Sequence, residues 1–191
     1  MASWIIHLRV TQQLYRQLNI ESVNEFVLGN IAPDSGIPSK DGSGFIPDAA
    51  VSHFRSLDEN GIKNIHEEQF IRQYFTMLFH TNRELFWQTI KKDWYDLDFM
   101  YLKSNPTFEA FYIYCEVKDI RNTYVDFFPE NAFAERRLFI MKFYADGVAN
   151  IEEHSTYLSK EELDVFVTST VNEIIAQLPV CGVVDFKENG L

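Results

Sequence analysis

The sequence predicts an all-α fold, a single domain of six or seven helices. Three observations lead there. Apolar side chains recur at helical spacing in several separate segments. Prolines, a glycine and a capping box mark where those segments stop and start. No two alternating apolar runs flank a tight turn, so no strand pair is expected. The 191 residues suit one domain with a substantial core. A content of 46% apolar and 15% aromatic residues is too hydrophobic for a disordered chain.

Residues 4–18 place Trp4, Ile5, Leu8, Leu14, Tyr15 and Leu18 along a helical face, with His7 near the start. Residues 21–28 form a second, short helix, with Ser22 as its N-cap and Gly29 as its stop. Residues 31–47 hold three prolines and three glycines and read as a loop. Its length marks it as functional or mobile. A helical turn around 49–57 carries His53, and the polar stretch 58–64 breaks the chain again. A long helix over 65–92 has a broad apolar face that includes Phe70, Tyr74, Leu78 and Leu85. A short polar segment follows, closed by Asn105-Pro106. Residues 107–128 are helical up to Pro129, and 131–145 make another helix. Ser159-Lys160-Glu161-Glu162 is a capping box opening the last amphipathic helix, to about 178.

Only 17 Lys and Arg stand against 28 Asp and Glu, for a net charge of −11. There is no basic surplus to neutralise a phosphate backbone, which argues against a stable nucleic-acid partner. Cleavage of a phosphodiester at a metal site stays open, because there the ion supplies the charge. Cys115 and Cys181 form neither a disulfide framework nor a zinc signature and read as free thiols. MASWIIHLRV lacks a basic start leading into a long apolar run, so no signal peptide is expected. No run reaches the roughly 20 apolar residues of a membrane span. The expectation is a cytoplasmic protein.

The chemistry centres on FVLGNIAPD, residues 26–34, followed by Ser52-His53-Phe54. Asp34 is presented after an apolar turn stiffened by Pro33, and a carboxylate in such surroundings needs a cation or a proton. With few basic residues available, a metal ion is a candidate cation, and His7, His53 and His80 are candidate co-ligands. His80 and Glu84 stand at i and i+4, so both side chains reach one ion from one helix face. The same spacing suits a surface pair, and Arg83 is an alternative partner for Glu84. His7 equally fits a core histidine. His66 and His154 sit among glutamates and read as solvated, as does the acidic run 93–98. Within that run Asp98, beside Phe99 and Met100, has the most apolar neighbours.

WIIHL, FVLGNIAPDSG, SHF and a helical His80-x-x-x-Glu84-x-x-Trp87 together resemble the bacterial zinc-dependent phospholipase C family. Its wider superfamily includes secreted phosphatidylcholine-cleaving enzymes and fungal single-strand nucleases. The resemblance covers the first half of the chain. It implies an all-helical hydrolase in which His7 holds one zinc ion and Asp34, His53 and His80 hold a second. The acid at position 84 would bridge the two ions. Two metals sharing a carboxylate clamp a phosphodiester and supply hydroxide near neutral pH. Catalysis would fall to Asp34, as ligand and general base, and to Glu84.

The sequence departs from the family pattern in three places. Position 84 is Glu where the family has Asp, within His-Thr-Asn-Arg-Glu rather than His-Leu-Leu-Thr-Asp. Arg83 replaces a small neutral residue and would bind substrate phosphate or take a metal's place beside Glu84. After Glu84 the only histidine is His154, so a third zinc site is not expected. Two readings follow. One is a hydrolase of phosphodiesters, phospholipids among them, with one or two zinc ions. The other is a non-catalytic relative that keeps the scaffold as a structural or interaction protein. No adjacent His-Asp pair occurs, which weighs against a nucleotide phosphohydrolase of the His-Asp type.

Overall fold

The computed structural model describes residues 3–40, 45–46, 83–117, 128–151 and 158–177, with the backbone alone for 45, 83–91 and 177. These residues are mostly helical and form six α-helices: α1 (Trp4–Gln17), α2 (Val23–Ile31), α3 (Arg83–Ser104), α4 (Glu109–Glu116), α5 (Ala132–Asn150) and α6 (Lys160–Gln177). The all-α expectation holds. The helical turn at 49–57, the break at 58–64, and His53, His66, His80, His154 and Cys181 lie outside the described residues.

Helix α1 is the central element. Ser3 caps it, its hydroxyl accepting the Ile6 N–H at 3.3 Å. Apolar residues line two opposite sides. Ile5 and Leu8 pack with Val27 and Ile31 of α2, Tyr114 of α4, and Ile140 and Tyr144 of α5. Ile6, Val10 and Leu14 pack with Trp94 and Leu97 of α3 and with Phe166 and Val171 of α6. A helix that is apolar on both sides belongs inside a bundle. Each fully buried Ile or Leu contributes roughly 1.5–3 kcal/mol relative to exposure. The one charge embedded here, Arg9, pairs with Asp164 of α6 and lies 4.3 Å from the centre of the Tyr101 ring. Thr11 satisfies its hydroxyl by donating to the His7 carbonyl at 2.7 Å.

Helix α2 begins after Ser22 as expected, although that side chain makes no capping hydrogen bond. It does not stop at Gly29 but runs on to Ile31. A stop requires the glycine to turn left-handed, and Gly29 stays in the helical track with open space around it. Pro33, which has no N–H for the ladder, ends the helix instead, tightening it into a 3₁₀ turn over Ala32–Asp34. Within the expected loop, Ile37–Pro38 (β1) pairs antiparallel with Phe45–Ile46 (β2), Ile37 opposite Ile46. This two-residue ribbon is the only strand pair among the described residues.

Helix α3 differs most from the sequence reading. It continues past residue 92 to Ser104, and the acidic run is not a solvated face. Asp93 and Asp98 are buried, alongside Trp94 and Leu97. Burial is possible because distant groups meet the carboxylates. Asp93 accepts the Leu158 N–H at 3.2 Å, and Asp98 accepts the Tyr144 hydroxyl at 2.8 Å. Helix α4 is shorter than the expected 107–128. It ends at Glu116, where Val117 turns extended, and the Arg137 guanidinium donates to the carbonyls of Cys115 and Val117. At its other end Gln12 of α1 accepts the Ala110 N–H at 2.9 Å. The Cys115 thiol is half-buried, and burial pushes it up to about 11.

Helix α5 overruns its expected end at 145 and reaches Asn150. Gly147 lies against the Phe99 ring, where a Cβ would come within 2.1 Å of a ring carbon. This lets α3 and α5 approach closely through Tyr95, Phe99, Phe143 and Tyr144. The capping box of α6 forms as read. Ser159 N–H and Oγ both lie 2.9 Å from Glu162 Oε2, and the Glu162 N–H donates to Ser159 Oγ at 3.2 Å. Among the described residues no helix is long and apolar enough to cross a membrane.

Candidate metal centre

The packing of α2 on α1 brings two of the expected ligands together. His7 lies in the second turn of α1, and Asp34 ends the 3₁₀ turn that follows α2. Val27 and Ile31 seat α2 against Ile5 and Leu8, which carries Asp34 back to His7. His7 Nε2 and Asp34 Oδ2 are 3.8 Å apart, with the two side chains 15% and 8% exposed. Two donors held by one tetrahedral zinc, each at about 2.0–2.2 Å, stand about 3.4 Å apart. The observed separation is a few tenths of an ångström wider, beyond hydrogen-bond length but within reach of a shared ion. A neutral imidazole nitrogen beside a carboxylate oxygen suits zinc chemically.

The Asp34 turn is fastened on both sides. The Ser35 N–H donates to the Ala32 carbonyl at 3.0 Å, and the Ser35 hydroxyl to the Ile31 carbonyl at 3.3 Å. Arg136 of α5 donates through Nε–H to the main-chain carbonyl of Asp34 at 2.8 Å. The Arg136 guanidinium carbon stands 5.3 Å from the ring centres of both Trp4 and Phe139. Burial lowers the proton affinity of Arg136, and the charges of Asp34, Tyr114 and Tyr95 oppose that change. Tyr95 in turn is raised, first by burial and then by Asp98 and Asp34.

Of the other sequence candidates, His53 and His80 lie outside the described residues. Arg83 and Glu84 open α3, and their side chains are not among those described, so an Arg83–Glu84 or Arg83–Asp34 pair falls outside them too. Among the described residues no group of three or more His, Cys, Asp or Glu could hold a metal. Two residues at or near the site escaped the sequence reading. Arg136 sits within Glu135-Arg136-Arg137, which looks like a solvated face, and only the flanking Phe133 and Phe139 hint at burial. Asp98 was singled out for its apolar neighbours but read with a solvated run. Its Oδ1 is buried and makes no hydrogen bond among the described residues. Burial pushes its carboxyl up to about 7, against the Ser3 and Tyr144 hydroxyls and the Arg9 charge.

Comparison of the chain with models of protein families, with curated proteins and with solved structures finds no match.

Proposed function

We propose that the chain is a metal-dependent hydrolase of phosphodiesters, phospholipids among them, working with one or two zinc ions. The observation that carries this reading is the 3.8 Å approach of His7 Nε2 to Asp34 Oδ2. His7 and Asp34 would hold zinc together with His53, His80 and Glu84, the set implied by the resemblance to zinc-dependent phospholipases C. Zinc, when bound, polarises the phosphoryl group and lowers the pKa of water toward neutrality. Asp34 accepts a proton from the attacking water, with its turn held by Ser35 and Arg136. His7 keeps a neutral nitrogen toward the ion.

A second reading is favoured by one specific observation. Arg136 lies beside Asp34, so a protein cation rather than a metal could balance the carboxylate. The scaffold would then be a non-catalytic relative serving as a structural or interaction protein. One set of measurements separates the two: zinc content of protein purified without chelator, calorimetric zinc titration, and turnover of bis(p-nitrophenyl) phosphate. The hydrolase reading expects bound zinc, a loss of affinity of at least ~10-fold in His7→Ala and Asp34→Ala, and tighter binding in Glu84→Asp. Absence of zinc binding together with absence of turnover in added zinc refutes it.

A further inference from the structure

Arg9 stands between two acids on different helices and is bound to one of them. Among the described residues it pairs with Asp164 of α6 and makes no ion pair with Asp98 of α3. Yet its guanidinium carbon lies 4.3 Å from the centre of the Tyr101 ring, and Tyr101 follows Asp98 by three residues on α3. Positions i and i+3 of a helix share a face, about 5–6 Å apart. The guanidinium is thus already seated over the face of α3 that carries Asp98, one turn away, and its charge favours the ionised form of that acid. The long Arg side chain covers such a step by rotating about its stem.

The two acids differ in what surrounds them. Asp164 has a second cation: Lys160, one turn before it on α6, reaches Oδ2 at 2.6 Å. Burial works against the charge of Asp164, but the bonds from Lys160 and Arg9 outweigh it and hold the carboxyl below its ordinary value. It therefore stays ionised from mildly acidic to alkaline pH. Asp98 is fully buried. The groups that face it are Ser3 and Arg9 of α1, Tyr144 of α5 and Tyr95 on its own helix. Asp164 and Lys160 of α6 bear on it through Arg9. Asp98 Oδ2 accepts the Tyr144 hydroxyl, and Oδ1 makes no hydrogen bond among the described residues. An ionised carboxylate so enclosed is costly unless a cation meets it.

The charges fall into two arrangements. With Asp98 protonated, Arg9 and Lys160 share Asp164. With Asp98 ionised, two acids and two cations make two pairs: Lys160 keeps Asp164, and Arg9 answers Asp98 at Oδ1. We infer that Arg9 is a pH-dependent latch, tying α1 to α6 through Asp164 while Asp98 is protonated and turning to Asp98 when that acid ionises. Helix α6 then loses a polar tie to α1 and keeps the apolar contacts of Phe166 and Val171 in the shared core. Burial pushes the Asp98 carboxyl up to about 7, which sets the turning point near neutral pH.

The test compares wild type with Asp164→Asn by urea denaturation at pH 5.5 and 8.5. At pH 5.5 the substitution breaks the latch and should lower the folding constant by ~10-fold or more, the range for hydrogen bonds to charged groups. At pH 8.5 it removes only the pair with Lys160, and the loss should shrink to about twofold. In Asp98→Asn, and separately in Arg9→Gln, the loss from Asp164→Asn should be the same at both pH values. A loss in wild type that does not change with pH overturns the inference. A change that persists in Asp98→Asn overturns it, because another group then titrates. A change that persists in Arg9→Gln also overturns it, because the two carboxylates then repel each other with no arginine between them. If Asp98→Asn or Arg9→Gln fails to fold, crystal structures of wild type at the two pH values decide. Arg9 on Asp164 at pH 5.5 and on Asp98 at pH 8.5 supports the latch, and any other pairing overturns it.

Discussion

Replacing Asp98 by Asn tests the account of the buried acid on α3. The carboxyl is fully enclosed, accepts one hydrogen bond from Tyr144, and is pushed from 3.8 up to about 7, chiefly by burial. That displacement of about three pH units corresponds to something on the order of 4 kcal/mol. In the unfolded chain Asp98 loses its proton near pH 4, in the folded chain near pH 7. Below pH 4 both states keep the proton and no penalty exists. As pH rises from 4 to 7 only the unfolded state ionises, so stability drains away; above 7 the penalty is complete and constant. An asparagine has the same shape and does not titrate, but its NH₂ group enters a place where Oδ1 has no hydrogen-bond partner among the described residues, costing ~1–3 kcal/mol. Urea denaturation of both proteins, followed by far-UV circular dichroism at pH 5, 6, 7 and 8, reads the difference and cancels the other carboxylates. Wild type loses ~1.7 kcal/mol by pH 5 and ~4 kcal/mol by pH 8, so Asp98→Asn should be close to wild type at pH 5 and more stable by ~1–3 kcal/mol at pH 8, the difference moving by roughly 3 kcal/mol. A difference that stays constant within about 0.5 kcal/mol across the series would show that Asp98 does not titrate there, and the argument from burial would fall.

Gly147→Ala should destabilise the fold by about 1–2 kcal/mol. The gain of up to ~1 kcal/mol in helix propensity is outweighed by ~1–3 kcal/mol of overpacking against Phe99. A rise in melting temperature would show that the Phe99 ring yields freely. Ser159→Ala removes the hydroxyl that Glu162 uses at the start of α6 and should cost ~1 kcal/mol in chemical denaturation. Combining it with Glu162→Ala should cost less than the sum of the two single changes, and strict additivity would rule out the reciprocal box.

The parts of the fold that local pattern governs were readable. Helix α1 falls within a residue of its expected bounds because the apolar repeat is a local signal. The α6 capping box formed from four consecutive residues. Where distant partners decide, the reading failed. Asp93 and Asp98 resemble solvent-facing acids because Leu158 and Tyr144, the groups that satisfy them, are 65 and 46 residues away. Gly29 and Pro33 both carry stop signals, and only the backbone shows that the proline acts. Of the site, His7 and Asp34 were named from spacing and resemblance and do meet. Arg136 was hidden because its significance depends on a main-chain carbonyl 102 residues earlier.

The double-sided burial of α1 has a consequence for how the molecule comes into being. One flank can be covered by α2 soon after synthesis, but the other waits for α6, whose Asp164 meets Arg9 across 155 residues. Trp94 and Leu97 of α3 can cover part of Ile6, Val10 and Leu14 earlier, and α6 completes that cover last in chain order. The helix that carries His7 is therefore fully enclosed only when segments 155 residues apart have met.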